Sequence, residues 1–386
     1  MLHMKEIQTI AESPSPILTV YVNTQNRNAS RHPRVPEHLA WLAKEARLLS
    51  RTLLPRDAER FGQELARVKS FLDGRHPEEN ALAVFASPGT WTVIPLHASI
   101  DNEMRWGQPA VGQLFRLLSE HDPYGVIVAD HHAARFFRLH LGELTELDEK
   151  RYDIDESQWK RTDLGHIASE RTRKAHGPDR DLYEHRLEAQ YEHLYRETAD
   201  RATALSKEHG FAGLFLAGPV PLLASLQTKF PPAVAGHVIP VPEDLGGFSP
   251  EEIRRRLEPL VADHERTRQI AEVEQLLSAD SGTVTNADEA LARLQNGTIR
   301  TLVVAVGHDF HVRECARCGA LTRSSDLVCP DCGGERRTLA LLDILPRLAA
   351  ARGATVEFIN GEAAQKLIAA GGMGGWLRQA TRNAAG

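Results

Sequence analysis

Cysteine is scarce in this sequence, with four in 386 residues, and all four lie in one stretch. A disulfide framework spread over the chain is therefore excluded. Long hydrophobic runs are missing too. No stretch of 18 apolar residues occurs, so no membrane span is expected. An excess of positive charge is also lacking. The formal net charge is −6, which excludes a chain that binds nucleic acid through its overall field. Any nucleic-acid contact must come from local basic patches. The opening Met-Leu-His-Met-Lys-Glu has no basic stretch followed by an apolar core, so no secretory signal is expected there. Together these features point to a protein of the reducing cytoplasm. Its length is suited to two or three domains.

What is present begins with the cysteines. Cys315-Ala-Arg-Cys318 and Cys329-Pro-Asp-Cys332 are two C-x-x-C pairs separated by ten residues, the spacing of a zinc ribbon. Each pair places two sulfurs on one tight turn. Gly319 and Gly333 follow the second cysteine of each pair and free the backbone to turn its amides toward the sulfurs. The expected ligands are Cys315, Cys318, Cys329 and Cys332, holding a structural Zn2+ with no open coordination position. The alternatives are disulfides, which need an oxidising compartment, and a ribbon that has lost its metal.

Along the chain, Ile17-Leu-Thr-Val-Tyr-Val22 reads as a buried strand, and helical periodicity follows from about Glu37 to Leu54. A second helix runs from Asp57 to about Leu72, and strands at 81–85 and 91–94 flank the turn Ser87-Pro-Gly89. A second unit opens with Tyr124-Gly-Val-Ile-Val-Ala-Asp130, with 135–141 as its hairpin partner. A polar stretch from about 148 to 181 leads into a long charged helix from about 182 to 209, stopped by Gly210. Phe211-Ala-Gly-Leu-Phe-Leu-Ala217 and His237-Val-Ile-Pro-Val241 are further strands. A helical pattern then covers about 251 to 277. Thr301-Leu-Val-Val-Ala-Val306, a helix from 339 to 351 and Ala354-Thr-Val-Glu-Phe-Ile359 make a βαβ unit with the ribbon inserted in it, which predicts a parallel strand pair. The expectation is an α/β protein of three domains: 1–118, 119–266 with a basic loop at 160–186, and 267–386 as an α/β sandwich carrying the zinc ribbon at 313–336.

This order of parts resembles the class I release factors of archaea and eukaryotes and their relative Pelota, and more closely the bacterial branch of that superfamily. The resemblance rests on residues 286–304, on the ribbon, on 353–359 with Gly371-Gly-Met-Gly-Gly-Trp-Leu-Arg378, and on the strands at 125–130 and 211–219. It implies a ribosome-binding translation factor of the A site. It also implies rRNA, tRNA and a translational GTPase such as elongation factor Tu as partners, with the third domain toward the large-subunit stalk base. The first domain would approach the decoding centre. Within this branch, the Balon-like factors occupy the A site of bacterial ribosomes in hibernation.

Two departures shape the expected function. The family's Gly-Gly-Gln tripeptide, which positions water against the peptidyl-tRNA ester, is replaced by Gly165-His-Ile-Ala-Ser-Glu-Arg-Thr-Arg-Lys-Ala-His-Gly-Pro-Asp-Arg-Asp181. The stop-codon loop Asn-Ile-Lys-Ser is replaced by Leu54-Pro-Arg-Asp-Ala-Glu59. No catalytic residue is assigned, and the expected action is occlusion of the A site rather than chemistry. A peptidyl-tRNA hydrolase using His166, His176 or Glu170, and a tRNA-directed nuclease, are the enzymatic alternatives. The candidate RNA contacts are Arg171, Arg173, Lys174, His176, Gly177 and Arg180. Acids interspersed there make a solvated charged loop the competing reading.

Other features have plainer explanations beside the sharper ones. His131-His132 reads as a turn rather than a metal pair. Tyr183, Tyr191 and Tyr195 read as packing rather than RNA stacking. Arg27, Arg31, His32 and Arg34 are either a surface loop or a small-subunit RNA contact. The glycines at 371–375 imply close packing or a tight turn.

Overall fold

The computed structural model describes residues 4–13, 16–24, 36–73, 79–98, 100–152, 177–307 and 311–378, with backbone only for 177–188. The fold is mixed α/β. It divides into two compact units, one formed by 1–121 together with 260–386, the other by 122–259.

The chain opens with α1 (Met4–Ala11), β1 (Ile17–Asn23), α2 (Glu37–Ser50), α3 (Pro55–Asp73), β2 (Ala81–Ser87), β3 (Thr90–Leu96), β4 (Glu103–Gly107) and α4 (Gly112–Glu120). The strands form one antiparallel sheet in the order β3-β2-β1-β4. Strands β1 and β2 are β-branched and aliphatic on both faces because both faces are covered. Leu18, Val20, Val22, Leu82 and Val84 pack with Leu42 and Ala46 of α2 and Phe61, Val68 and Leu72 of α3. On the opposite face Tyr21 meets Phe85 edge-on at 6.0 Å and donates its hydroxyl to the Ala110 carbonyl at 2.6 Å. Burial pushes the Tyr21 phenol well above its ordinary range.

Residues 122–259 carry β5 (Tyr124–Ala129), β6 (Ala133–His140), β7 (Glu143–Arg151), α5 (Gly177–His209), β8 (Gly213–Ala217), α6 (Val220–Gln227), α7 (Pro232–Ala235) and β9 (Val238–Val241). The sheet order is β7-β6-β5-β8-β9. The first three strands are antiparallel neighbours, and β5, β8 and β9 run parallel. Tyr195, Ala199, Ala202 and Leu205 recur at helical spacing and seat α5 on Ile127, Phe136, Leu214 and Leu216. The Tyr191 and Tyr195 rings, 5.8 Å apart, are thus packing residues. His131 and His132 occupy an exposed turn, where the Asp130 carboxylate accepts the N–H groups of His132 at 2.6 Å and Ala133 at 2.8 Å. Two extents differ from the sequence expectation. β7 continues to Arg151, because an edge strand with one wet face reads as polar chain. α5 begins at Gly177, not near 182.

Tyr152 is buried beside α5 and shares a 3.0 Å hydroxyl hydrogen bond with Thr198. Burial, only partly offset by that hydroxyl, pushes its phenol up to about 12. A free tyrosine ionises near 10. The folded state therefore favours the neutral phenol, so its contribution is complete below pH about 10 and is lost as pH rises toward about 12. Urea midpoints at pH about 9 and about 11 should fall less for Tyr152→Phe than for wild type, by about 1 kcal/mol. Equal alkaline losses would refute the assignment.

The long helix α8 (Pro250–Ser278) carries the boundary between the units at Pro259. Beyond it come β10 (Thr283–Val284), α9 (Ala287–Gln295), β11 (Ile299–Ala305), β12 (His311–Cys315), β13 (Leu321–Thr322), β14 (Arg336–Ala340), α10 (Leu341–Arg352), β15 (Thr355–Ile359), α11 (Gly361–Ala369) and β16 (Met373–Leu377). Their main sheet runs β10-β16-β11-β15, with β11 and β15 parallel as the βαβ pattern implies. Val273 and Leu276 of α8 and Ala363, Ala364 and Leu367 of α11 cover Val303, Ala305 and Ile359. The glycine-rich segment is strand β16. A Cβ on Gly374 would stand 2.8 Å from the Val284 carbonyl oxygen, and one on Gly375 2.7 Å from that of Thr301.

The two chain segments of the first unit are joined through α4 and α10. Asp343 pairs with Arg105 and accepts the Gly112 N–H at 3.3 Å, while Phe115 meets Phe358 edge-on at 5.9 Å. Among the described residues no helix is long and apolar enough to cross a membrane.

Candidate metal centre

Strands β13-β12-β14 form a small antiparallel sheet that interrupts the connection from β11 to α10. It ends in two matching knuckles. In the first, the Gly319 N–H donates to the Cys315 carbonyl at 2.9 Å, and in the second the Gly333 N–H donates to that of Cys329 at 2.9 Å. Both glycines have positive φ, +71° and +70°, which a side chain would strain. The return strand closes each turn. The Cys315 N–H reaches the Ala320 carbonyl at 3.0 Å, and the Cys329 N–H reaches that of Gly334 at 2.8 Å.

This folding brings the four sulfurs together, all within 4.8 Å of one another. Cys315 and Cys332 are 3.4 Å apart, and Cys318 and Cys329 are 3.7 Å apart. A tetrahedral ion with metal–sulfur bonds of about 2.3 Å sets its sulfurs about 3.8 Å apart, so the cluster fits a four-sulfur centre. Cys315 and Cys329 are buried, Cys332 is half-buried and Cys318 is exposed. The surroundings favour thiolate at Cys315 and Cys329, while the Cys318 thiol is raised to about 12. The Cys318 N–H above all, against the opposing effect of burial, and then the Arg317 N–H hold the Cys315 thiol down to about 6. The Arg336 guanidinium lies 3.8 Å from the Cys329 sulfur. Four protein ligands leave no open position, so such a centre holds structure and does not activate water.

Several supporting residues are not marked by the cysteine spacing. A Cβ on Gly334 would stand 2.9 Å from the Cys315 sulfur, and the glycine pair after Cys332 is the signal for it. Gln295 ties the ribbon to α9. Its amide donates to the Leu321 carbonyl at 3.1 Å and accepts the Leu321 N–H at 2.9 Å.

The expected RNA contacts are placed differently. Arg171, Arg173, Lys174 and His176 lie outside the described residues, as do His166, Glu170 and the first-domain group Arg27, Arg31, His32 and Arg34. Gly177 and Arg180 belong to the first turn of α5. A basic group not singled out in the sequence stands at the turn from α2 to α3. Arg47, Arg51, Arg56 and Arg60 are exposed there and make no ion pair among the described residues.

Residues 109–258 match the model of bacterial archaeo-eukaryotic release factor family 10. The match takes in the whole 122–259 unit but its last residue, and α4 before it. The release-factor resemblance therefore holds across the middle of the chain. Solved structures are similar at low identity. The archaeal translation termination factor aRF1 shares 14% identity over 98% of this chain and 99% of its own, with a TM-score of 0.25. A model of ribosome-bound archaeal Pelota and ABCE1 shares 12% over 98% and 94%, with a TM-score of 0.41. Dom34 of S. cerevisiae, described as a translation termination-like factor, shares 10% over 82% and 79%, with a TM-score of 0.36. No match was found among curated proteins.

Proposed function

We propose, from a chain whose residues 109–258 match a bacterial release-factor family, that this protein is a translation factor that binds the ribosomal A site and fills it without hydrolysing peptidyl-tRNA. The observation that carries this reading is that match in a chain with no Gly-Gly-Gln anywhere. A release factor needs a group that orients water at the ester, and this chain lacks the family's means of doing so. Occlusion needs only shape and charge. It suits a factor that protects ribosomes in stress or hibernation, keeping tRNA and nucleases out.

The arginines at the turn from α2 to α3 support an RNA contact by the first stretch of chain, since exposed unpaired guanidinium groups suit phosphates. The four cysteines hold Zn2+ in this reading, as a brace for the ribbon. The end of the chain that bears the ribbon faces the large-subunit stalk base or a translational GTPase.

Sucrose-gradient co-sedimentation with bacterial ribosomes, paired with a peptidyl-tRNA release assay, tests the proposal. The expected result is binding with release at the background rate. Release above background that is lost in His176→Ala would make the protein a hydrolase. Absence from the ribosome fractions would remove the ribosomal reading altogether.

A further inference from the structure

The second knuckle carries an apolar tip. Leu327 and Val328 are 64% and 58% exposed, adjacent in sequence and outside the core. Their backbone is held firmly. The Leu327 carbonyl accepts the Arg336 N–H at 2.8 Å, and Val328 bridges to Glu335 across the loop. Ser324 and Asp326 brace the approach. The Ser324 hydroxyl donates to the Asp326 carboxylate at 2.6 Å and accepts the Asp326 N–H at 3.2 Å. The two side chains are therefore presented to solvent on an ordered support. This is a preorganised contact, in which little freedom remains to be lost on binding.

The charge around the tip selects its partner. Residues 324–335 contain no Lys or Arg and three acids, Asp326, Asp331 and Glu335. None of the three makes an ion pair among the described residues. The nearby cations are engaged within the ribbon or with its neighbours, the Arg336 guanidinium lying 3.8 Å from the Cys329 sulfur and that of Arg337 3.7 Å from Glu314. Arg317 donates to the Cys332 carbonyl at 2.9 Å, and Arg323 lies 3.7 Å from Asp288. A divalent ion held by four thiolates adds two further negative charges beside the tip. Phosphate is repelled by such a surface, whereas a basic protein surface is attracted to it. A cleft of about 490 Å³ is lined by Leu291, Leu321, Thr322, Arg323 and Ser324, and Ser324 lies three residues before Leu327. Ser324 connects the two features.

We propose that Leu327 and Val328, rimmed by Asp326, Asp331 and Glu335, are a docking knob for a basic protein, seated in an apolar pocket ringed by Lys or Arg, and that this end of the ribbon touches no RNA. The proposal rests on the ribosomal reading, because ribosomal proteins supply basic surfaces of this kind.

The test uses the full zinc-loaded chain and purified ribosomes, with Kd measured across KCl from about 50 to 200 mM. Leu327→Ser with Val328→Ser should weaken binding about 10- to 100-fold with zinc content unchanged. Asp326→Lys with Glu335→Lys should weaken it as well, by placing cations against cations. A tip on RNA gives the opposite sign. There the lysine pair tightens binding and steepens its salt dependence, and the proposal fails. Unchanged binding by both double variants also defeats it, while leaving the ribosomal reading intact. If the wild-type chain does not bind ribosomes, that reading falls and takes the docking knob with it.

Discussion

Cys329→Ser is expected to release the zinc and unfold the ribbon while leaving the two larger sheets of its unit in place. Structural zinc sites contribute about 10–16 kcal/mol to the folding of small zinc domains. Removing one thiolate of four takes about a quarter of that, so zinc affinity should fall at least a hundredfold, about 3 kcal/mol. The ribbon has little else to hold it. Its described strands are short, β13 having only two residues. The core clusters built on Leu18, Val20, Leu82 and Val84 and on Val303, Ala305 and Ile359 contain no ribbon residue. Metal analysis should give about one zinc per wild-type chain and much less for the variant, with amide exchange rising at 311–340 but not in β1 or β11. A variant that keeps its zinc and its protection would show that the cluster is not a metal centre.

Gly218→Ala should strongly destabilise the 122–259 unit. Gly218 joins β8 to α6 at φ +159°, where a side chain is strained. A Cβ there would stand 2.4 Å from the Ala129 carbonyl oxygen, a backbone atom of the neighbouring strand that cannot swing aside. Overpacking and backbone strain together should cost about 2–5 kcal/mol, a large share of ordinary domain stability of about 5–15 kcal/mol. Gly236→Ala is the control, since Gly236 has φ −68° and nothing within 4 Å of its Cβ position. It should change stability by no more than about 0.5 kcal/mol. Similar urea midpoints for the two variants would mean that the approach of Gly218 to β5 is not tight.

The elements legible in the sequence are those whose own residues create them. Strands β1, β2, β5, β8 and β11 are apolar runs buried on both faces, and the cysteine knuckles announce themselves by spacing. Strand β16 is the opposite case. Met373-Gly-Gly-Trp-Leu has little intrinsic preference for a strand, and it forms one because only glycine fits beneath the Val284 and Thr301 carbonyls. That fit depends on register, which no local pattern shows. The two-residue strand β10 and the polar edge β7 are hidden for similar reasons. At the candidate site, the ligands and their glycines were readable. The exposure of Leu327 and Val328 was not, because an apolar dipeptide usually signals core.

The joining of α4 to α10 and β15 sets an order of events during synthesis. Residues 122–259 are contiguous and can fold once they have emerged. The earlier stretch cannot finish. Phe115 must wait for Phe358, and Arg105 for Asp343, more than 200 residues later. Until then Leu114, Phe115 and Leu117 of α4 lack part of their cover, an apolar surface exposed on the nascent chain. Helix α4 is thus among the last elements to settle, and chaperone dependence should be concentrated in that interval.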